Sequence, residues 1–162
     1  MAEQNQDTQQ QNQNAPIFRM QKMYLKDLSF ENPNSPDVFL AQNKDPKVDI
    51  NLQVKNRKLD DDNYEVTINI NVNIVKTEDE KTLFILEIEH AGIFTLKNIP
   101  EDHIGAVLSV ECPTLLFPYT RQIMSQVSVD GGFMPFLMDP VNFLALYENS
   151  RKQQGEGMEQ KQ

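Results

Sequence analysis

The sequence predicts an α+β domain in which a four-stranded antiparallel sheet comes first and helices cover one face of that sheet. Three segments, at 48–55, 65–75 and 83–90, alternate apolar with polar side chains. This alternation is typical of strands with one buried and one solvated face, which favours an antiparallel sheet over a doubly wound parallel one. After residue 100 the apolar residues recur at helical spacing instead.

A fourth strand is predicted at 17–31, where the alternation changes its parity. Met23 and Leu25 fall on odd positions, whereas Leu28 and Phe30 fall on even positions. One extra residue near Lys26–Asp27 would return both sets to the same face of the sheet. We therefore expect a β-bulge at that point of the strand.

Two turns and one long loop connect the predicted strands. Residues 60–63 (DDDN) and 77–81 (TEDEK) have the polar composition of hairpin turns. Residues 31–46 are too long for a hairpin and are interrupted by three prolines. We expect this segment to cross over the end of the sheet.

Three helical stretches follow the strands. The first starts at Pro100 and is expected to break or kink at Cys112, because a residue before proline avoids helical geometry. The second covers 114–129 and ends at a Gly-Gly pair. The third is expected to begin with Asp139 as its N-cap and Pro140 as its first helical residue.

Composition divides the 162-residue chain into one folded region and two polar tails. Residues 1–15 and 151–162 hold few core-forming side chains, so both are expected to be flexible, and the folded domain is expected at 16–150. The net charge of −9 disfavours nucleic acid and anionic membranes as partners and favours a basic protein surface. A single cysteine, no signal-peptide pattern and no apolar run of membrane-spanning length indicate a cytoplasmic protein without membrane insertion.

Few residues have the pattern of a catalytic or metal site. His90, at the end of a predicted strand, and His103, in the first turn of a helix, lack partners at metal-ligand spacing and are expected at the surface. Cys112 has no histidine nearby in sequence and is expected to be an inert, packed thiol. The sequence therefore predicts no enzyme, no metal and no cofactor. A hydrolase that combines Glu87 or Glu89 with His90 has only their proximity in its favour.

The second helical stretch is apolar on nearly all sides. Leu116, Tyr119 and Ile123 fall on one side of it, and further apolar residues, Phe117 among them, spread around the rest. A helix of this kind is buried on two sides, and in a short chain the second covering surface is expected from another subunit. The alternative is that Phe117 and its neighbours fold under the loop at 130–138.

Six consecutive bulky residues, FMPFLM at 133–138, follow the Gly-Gly pair. Mobile apolar surfaces that contain methionine can repack around different partners, so this segment is a candidate binding surface. The alternative is a linker that fills the core before the last helix.

Four acidic residues are expected to share the solvated face of the sheet if the bulge restores the register. They are Asp27, Glu31, Glu87 and Glu89, with Ile85 among them. An acidic field with an apolar spot can dock a basic partner, and the alternative is an ordinary solvated face.

Five stretches of the sequence carry a family resemblance. They are YLKDLSFENPNSPDVF (24–39), AGIFTL (91–96), ECPTLLFPYTRQ (111–122), GGFMPFLMDPVNFLALY (131–147) and GEG (155–157). Together, and in this order, they resemble the SecB protein-export chaperones of Gram-negative bacteria. The resemblance implies a four-stranded antiparallel sheet with two main helices on one face. It also implies a homotetramer, a dimer of dimers with the helices sandwiched between the sheets.

The resemblance also implies the function and the partners. Such a protein would be an ATP-independent holdase that keeps unfolded precursor proteins competent for translocation and passes them to the SecA motor ATPase. Members of the family contact the zinc-binding C-terminal tail of SecA through the sheet, and the polar C-terminal tail is a weaker, second contact region. The positions that match the SecA-binding residues are Asp27, Glu31, Ile85 and Glu87.

Two further residue sets follow from the resemblance. Client proteins are expected in long apolar grooves between the crossover loop and the last helix, and position assigns to this groove Phe39, Phe133, Phe136, Met138 and Phe143. Contacts between subunits are expected at Leu116, Phe117, Tyr119 and Ile123. Lys44 and Asp45 stand where some relatives have an aromatic residue, a departure that bears on client grip at that end of the groove.

A function of a different class remains as the alternative. An oligomeric small-ligand carrier or a structural oligomer could use the same sheet and helices. Such a protein would have a saturable small-molecule site and would not respond to unfolded polypeptide.

Overall fold

Four antiparallel strands form a single sheet in the computed structural model, which describes residues 13–41 and 44–159. The strands are β1 (Ile17–Glu31), β2 (Lys47–Lys58), β3 (Asn63–Val75) and β4 (Thr82–Lys97), and their order across the sheet is β1-β4-β3-β2. All neighbouring pairs are antiparallel. The four predicted strands are confirmed, and β4 runs seven residues beyond the predicted end at 90.

The register of β1 shifts where the change of parity predicts a bulge. Leu25 lies opposite His90 and Asp27 lies opposite Glu89, with the shift between the two pairs. A second shift, between Met20 and Lys22, coincides with an earlier change of parity, from Phe18 and Met20 to Met23 and Leu25, which the sequence analysis missed. The bulge returns the apolar side chains of the second half of β1 to the helix-facing side of the sheet.

The connections also follow the prediction. Hairpin turns at 60–63 and 77–81 join β2 to β3 and β3 to β4. In the first turn the Asp60 carboxylate accepts hydrogen bonds from the backbone N–H groups of Asp62 and Asn63, at 3.0 and 2.8 Å. The segment after β1 leads from one edge of the sheet to the other and contains a short 3₁₀ helix, Asp37–Phe39.

The first two helical stretches join into one long rod. Helix α1 (Glu101–Ala106) continues through a π-helical turn (Val107–Glu111) into α2 (Cys112–Asp130). The predicted break at Cys112 is wrong: its φ and ψ are −60° and −52°, and its N–H donates to the Val107 carbonyl. Because the π turn is wider than an α turn, it makes room for the Pro113 ring, and the helix passes through.

The last helix, α3 (Phe143–Glu159), begins later than predicted. Asp139 is not its N-cap, because the chain stays irregular until residue 142. The Asn142 side-chain oxygen instead accepts the N–H of Ala145 at 3.0 Å, which is the geometry of an N-cap. Within the described residues, no helix is both long enough and apolar enough to cross a membrane.

The predicted tails lie partly outside the described residues. Of the N-terminal tail predicted at 1–15, residues 1–12 lie outside, and residues 13–15 are exposed. Of the C-terminal tail predicted at 151–162, residues 151–159 continue α3, with exposed side chains at 151–157, and residues 160–162 lie outside.

The core lies between the sheet and α2. Alternate side chains of β3 and β4, such as Ile70 and Leu86, pack against a stripe of α2 that contains Leu116 and Met124. Leu116 and Phe117, both predicted to contact another subunit, are thus buried within the chain's own core. The remaining residues of that predicted set are more accessible: Tyr119 is 44% exposed and Ile123 is partly buried.

Candidate functional site

The solvated face of the sheet gathers the predicted acidic residues. The register places Asp27 opposite Glu89 and Glu31 opposite Ile85. Glu87 lies on β4 between Ile85 and Glu89. All five alternate positions therefore share one side of the sheet, as expected once the bulge has restored the parity of β1. We call this set the acidic face.

The charges of the acidic face are largely unneutralised. Asp27, Glu31 and Glu87 are exposed, and Ile85 is partly buried among them. Within residues 13–41 and 44–159, none of these three carboxylates has a salt-bridge partner. The surface therefore combines a negative field with one apolar contact point, which suits a basic partner that carries an apolar side chain.

An amide-rich strand borders the acidic face. Asn71 lies opposite Glu87 and Asn69 lies opposite Glu89 in the register of β3 and β4. These side chains and Asp27 line a shallow cavity of about 250 Å³. The alternation of Asn with apolar residues in β3 predicts this row of amides, whereas its position beside the acids depends on the strand order.

A charged cluster at one end of the acidic face is a feature that the sequence analysis missed. The Tyr24 hydroxyl donates a hydrogen bond to Glu65, and the Lys26 ammonium lies 3.2 Å from the other carboxylate oxygen of Glu65. Lys26 Nζ also lies 3.9 Å from Glu89 Oε1, and Arg57 Nη2 lies 3.7 Å from Glu65 Oε1. These residues come from all four strands, so no local pattern in the sequence could reveal the cluster.

The contacts within this cluster shift two pKa values in opposite directions. The hydrogen bond from Tyr24 lowers the pKa of Glu65, and the Lys26 and Arg57 charges act in the same direction against the effect of burial. Burial, together with the hydrogen bond and the charge of Glu65, raises the pKa of Tyr24 to about 12. The cluster therefore holds an ionised carboxylate against a neutral phenol.

Phenylalanines form a continuous aromatic cluster on the other side of the sheet. The centroid of the Phe133 ring lies 5.2 Å from that of Phe39 and 4.9 Å from that of Phe84, while Phe136 lies 6.3 Å from Phe84. Phe30 completes the cluster at 6.3 Å from Phe133. Three residues of the predicted client groove thus lie together, above a floor of Phe30 and Phe84 that the sequence analysis did not assign to it.

The other two residues predicted for the groove lie apart from this cluster. Met138 is partly buried and packs against the core. Phe143 is only 3% exposed, and its ring lies 5.7 Å from that of Phe117. Phe143 lines a second groove, of about 360 Å³, that runs between β2 and α3. Leu52 and Tyr147 also line this groove.

Large apolar side chains are exposed around the aromatic cluster. Leu40 is 86% exposed and Met134 is 85% exposed, and Leu137 and Phe39 are also exposed. These side chains come from the crossover segment and from the segment between α2 and α3. Exposed large apolar side chains that form a patch are typical of sites of protein interaction.

The chemistry-bearing residues form no catalytic arrangement with one another. His90 is buried with its Nδ1 2.8 Å from Thr120 Oγ1, so its predicted surface position is wrong. The reason is that β4 continues to Lys97 and His90 lies on the core-facing side of this strand. Glu87 and Glu89 project to the opposite face, which separates them from His90 and removes the hydrolase alternative.

The other two residues considered for a catalytic or metal site are Cys112, which is buried, and His103, which is exposed. Burial, with a smaller contribution from the charge of Glu111, raises the pKa of Cys112 to about 12, as is typical of an unreactive thiol. His103 is exposed beside Asp102, at 3.9 Å. In the described part of the chain, no group of three or more His, Cys, Asp and Glu side chains could hold a metal ion.

Comparison with known proteins identifies relatives over most of the chain. A family model described as preprotein translocase subunit SecB matches residues 10–154. The protein-export protein SecB of Desulfotalea psychrophila is 62% identical over 141 residues, which cover 87% of this chain and 90% of that protein. The corresponding protein of Magnetococcus marinus is 46% identical over 139 residues, with coverage of 86% and 87%.

A solved structure shows the same fold at low sequence identity. It is the Mycobacterium tuberculosis Rv1957 SecB-like chaperone in complex with a ChAD peptide from the Rv1956 HigA1 antitoxin. The match has a TM-score of 0.62 at 13% identity and covers 76% of this chain and 90% of that one. At this identity the likeness concerns the fold alone.

Proposed function

The chain belongs to the SecB family of protein-export chaperones, and from this premise we propose that it is an ATP-independent holdase that delivers unfolded precursor proteins to the SecA motor in the cytoplasm. The observation that carries the proposal is the separation of two surfaces. An unneutralised acidic face lies on one side of the sheet, and the aromatic cluster lies on the other. A client and a motor can therefore be bound at the same time.

Client binding rests on the exposed apolar side chains around the aromatic cluster. An unfolded polypeptide presents apolar side chains without a fixed order, so a binding surface for it must adapt rather than read a sequence. Met134 and Leu137, which are exposed, and Phe39, which contacts Phe133, provide such a surface. The second groove, beside Phe143, extends the apolar surface along β2 and α3.

Delivery rests on the acidic face. We assign the SecA contact to Asp27, Glu31 and Glu87, with Ile85 as the apolar contact point. Exposed carboxylates without salt-bridge partners speed the encounter with a basic surface and fix its orientation. This assignment extends the family's function to individual residues of this chain.

Assembly rests on surfaces that one chain leaves uncovered. β1 is an edge strand of 15 residues, and its side chains Ile17, Phe18 and Leu25 are exposed. An edge of this length and composition is a template for pairing with another strand. We propose that two copies pair along β1 and that two such dimers join through Tyr119 and Ile123 of α2, as a homotetramer.

The test compares substitutions on the two sides of the sheet in the full-length protein. Glu87→Lys is expected to reduce SecA binding at least tenfold, about 1.4 kcal/mol, while binding of a chemically unfolded polypeptide is unchanged. Met134→Ser combined with Phe39→Ser is expected to do the reverse. Glu101→Lys, which makes the same charge change at an exposed residue of α1, serves as the control. Equal loss of both activities in Glu87→Lys would contradict the division of roles.

A further inference from the structure

Glu65 is a buried acid on the side of the sheet that carries the acidic face. Its residue exposure is 7%, and among the described residues it is the one buried Asp or Glu. Burying a carboxylate costs free energy unless hydrogen bonds and opposite charges compensate for it. Tyr24 and Lys26 supply that compensation, so the position of Glu65 is specified by its partners rather than by the core.

Lys26 stands between Glu65 and the acidic face. It lies at the register shift between Leu25 and Asp27, and its side chain is 34% exposed. Its ammonium is 3.2 Å from Glu65 Oε1 but 3.9 Å from Glu89 Oε1. Glu89 in turn lies opposite Asp27, so this one ammonium group is shared between a buried carboxylate and the end of the acidic face.

We propose that Glu65 is a positioning residue that holds the Lys26 ammonium back from the acidic face and so leaves Asp27 and Glu89 available to a basic partner. The inference rests on the proposed docking of SecA at this face. Without the charge of Glu65, the nearest carboxylate to Lys26 is Glu89, and the ammonium would pair there. A cation at that position repels the basic groups of an incoming partner and neutralises part of the field that attracts it.

The remaining contacts of Glu65 support this role. Tyr24 donates its hydrogen bond to the oxygen that does not face Lys26, which fixes the carboxylate while leaving Oε1 to the ammonium. The lowered pKa of Glu65 keeps it charged over the neutral range. Arg57 approaches the same Oε1 at 3.7 Å, but its side chain is largely exposed, so solvent screens its charge more strongly than that of Lys26.

A double-mutant cycle on the full chain separates this electrostatic role from a structural one. Glu65→Gln keeps an oxygen acceptor for Tyr24 and removes the charge, and it is expected to weaken SecA binding about three- to fivefold at low salt. Lys26→Met is expected to strengthen binding by a similar factor. In the Lys26→Met background, Glu65→Gln is expected to have no effect. All differences should shrink at about 0.5 M salt, where the Debye length falls below roughly 5 Å.

Two results would overturn the proposal. One is unchanged SecA binding in Glu65→Gln, and the other is an equal loss of binding with and without Lys26, which would assign Glu65 a purely structural role. Failure of the docking assignment is distinguishable, because Glu87→Lys would then leave SecA binding intact. A crystal structure of Glu65→Gln gives a readout without SecA. Lys26 Nζ is expected to lie closer to Glu89 than 3.9 Å, and an ammonium still held at residue 65 contradicts the proposal.

Discussion

His90 and Thr120 form a buried polar contact between β4 and α2. The His90 side chain is buried, and this burial lowers its pKa. As the pH falls, His90 therefore becomes protonated at a higher pH in the unfolded chain than in the folded chain. The stability that depends on a neutral His90 is fully present above about pH 6.5 and is lost as the pH falls from there toward the folded pKa.

We expect urea titrations to give a lower free energy of unfolding at pH 5.5 than at pH 7.5. The decrease is at most about 1.4 kcal/mol for each pH unit that separates the pKa of His90 in the folded chain from that in the unfolded chain. His90→Gln, which does not titrate, provides the comparison, since carboxylates contribute equally in both proteins. If the pH dependence is the same with and without the imidazole, His90 does not titrate differently in the folded chain.

Gly131, at the end of α2, is required by its packing rather than by its backbone. Its φ is −74°, which any residue adopts, but a Cβ atom there would lie 2.3 Å from the Phe30 ring. We expect Gly131→Ala to destabilise the protein by about 1–3 kcal/mol, because Phe30 would have to move within the aromatic cluster.

The matched control for this substitution is Gly155→Ala in α3. A Cβ atom at Gly155 would meet nothing within 4 Å, so helix propensity predicts a stabilisation of up to about 1 kcal/mol. Thermal unfolding of the two variants measures the difference. A neutral Gly131→Ala would mean that the groove floor at Phe30 is loosely packed.

The start of α3 depends on Asn142. Its side-chain oxygen accepts the Ala145 N–H, whereas Asp139 makes no such contact in the described structure. We expect Asn142→Ala to lower the free energy of unfolding by about 1 kcal/mol and Asp139→Ala to leave it within about 0.5 kcal/mol. Denaturant titration of both variants tests this expectation, and the opposite order would restore Asp139 as the cap.

The strands could be predicted from the sequence because each is specified by its own alternation. The bulge near Lys26–Asp27 follows from the same signal, and with it the alternation predicts that Asp27 and Glu31 share a face with Glu87. Helix boundaries were less predictable. The Asp139–Pro140 pair has the composition of a helix start, yet a second capping side chain three residues later is the one used. Likewise, the rule that a residue before proline avoids helical geometry predicts a break at Cys112. The π turn before it lets the helix continue through Pro113 instead.

The residues of the candidate site likewise differ in whether the sequence predicts their position. The acidic residues are close in sequence or on strands with a readable register, whereas Glu65, Lys26 and Arg57 meet because β1 lies beside β4 and β2 beside β3. That order is a property of the whole sheet and leaves no periodic signal. The sequence also does not show which helix residues are buried within the chain. Leu116 and Tyr119 are both apolar residues of one helix, and the position of the sheet determines that Leu116 is the one that is covered.

Large apolar side chains are exposed to solvent in two parts of the single chain. β1 exposes Ile17 and Phe18 at one edge of the sheet, and α2 exposes Leu115 and Tyr119. They lie on two different elements, and we propose that each makes its own contact between copies of the chain. The smallest closed assembly that uses both contacts, each related by a two-fold axis, contains four chains.

We therefore expect a mass of four chains by light scattering and a mass of two chains for Tyr119→Glu, because a charge on α2 disrupts one contact and leaves the β1 edge intact. Leu59→Glu, at an exposed leucine before the β2–β3 turn, is expected to keep the mass of four. Binding of an unfolded polypeptide should weaken in the Tyr119→Glu dimer, since fewer grooves can act on one client chain and the avidity falls. A wild-type monomer would contradict the proposed assembly, and an unaltered mass in Tyr119→Glu would show that the second contact lies away from this side chain.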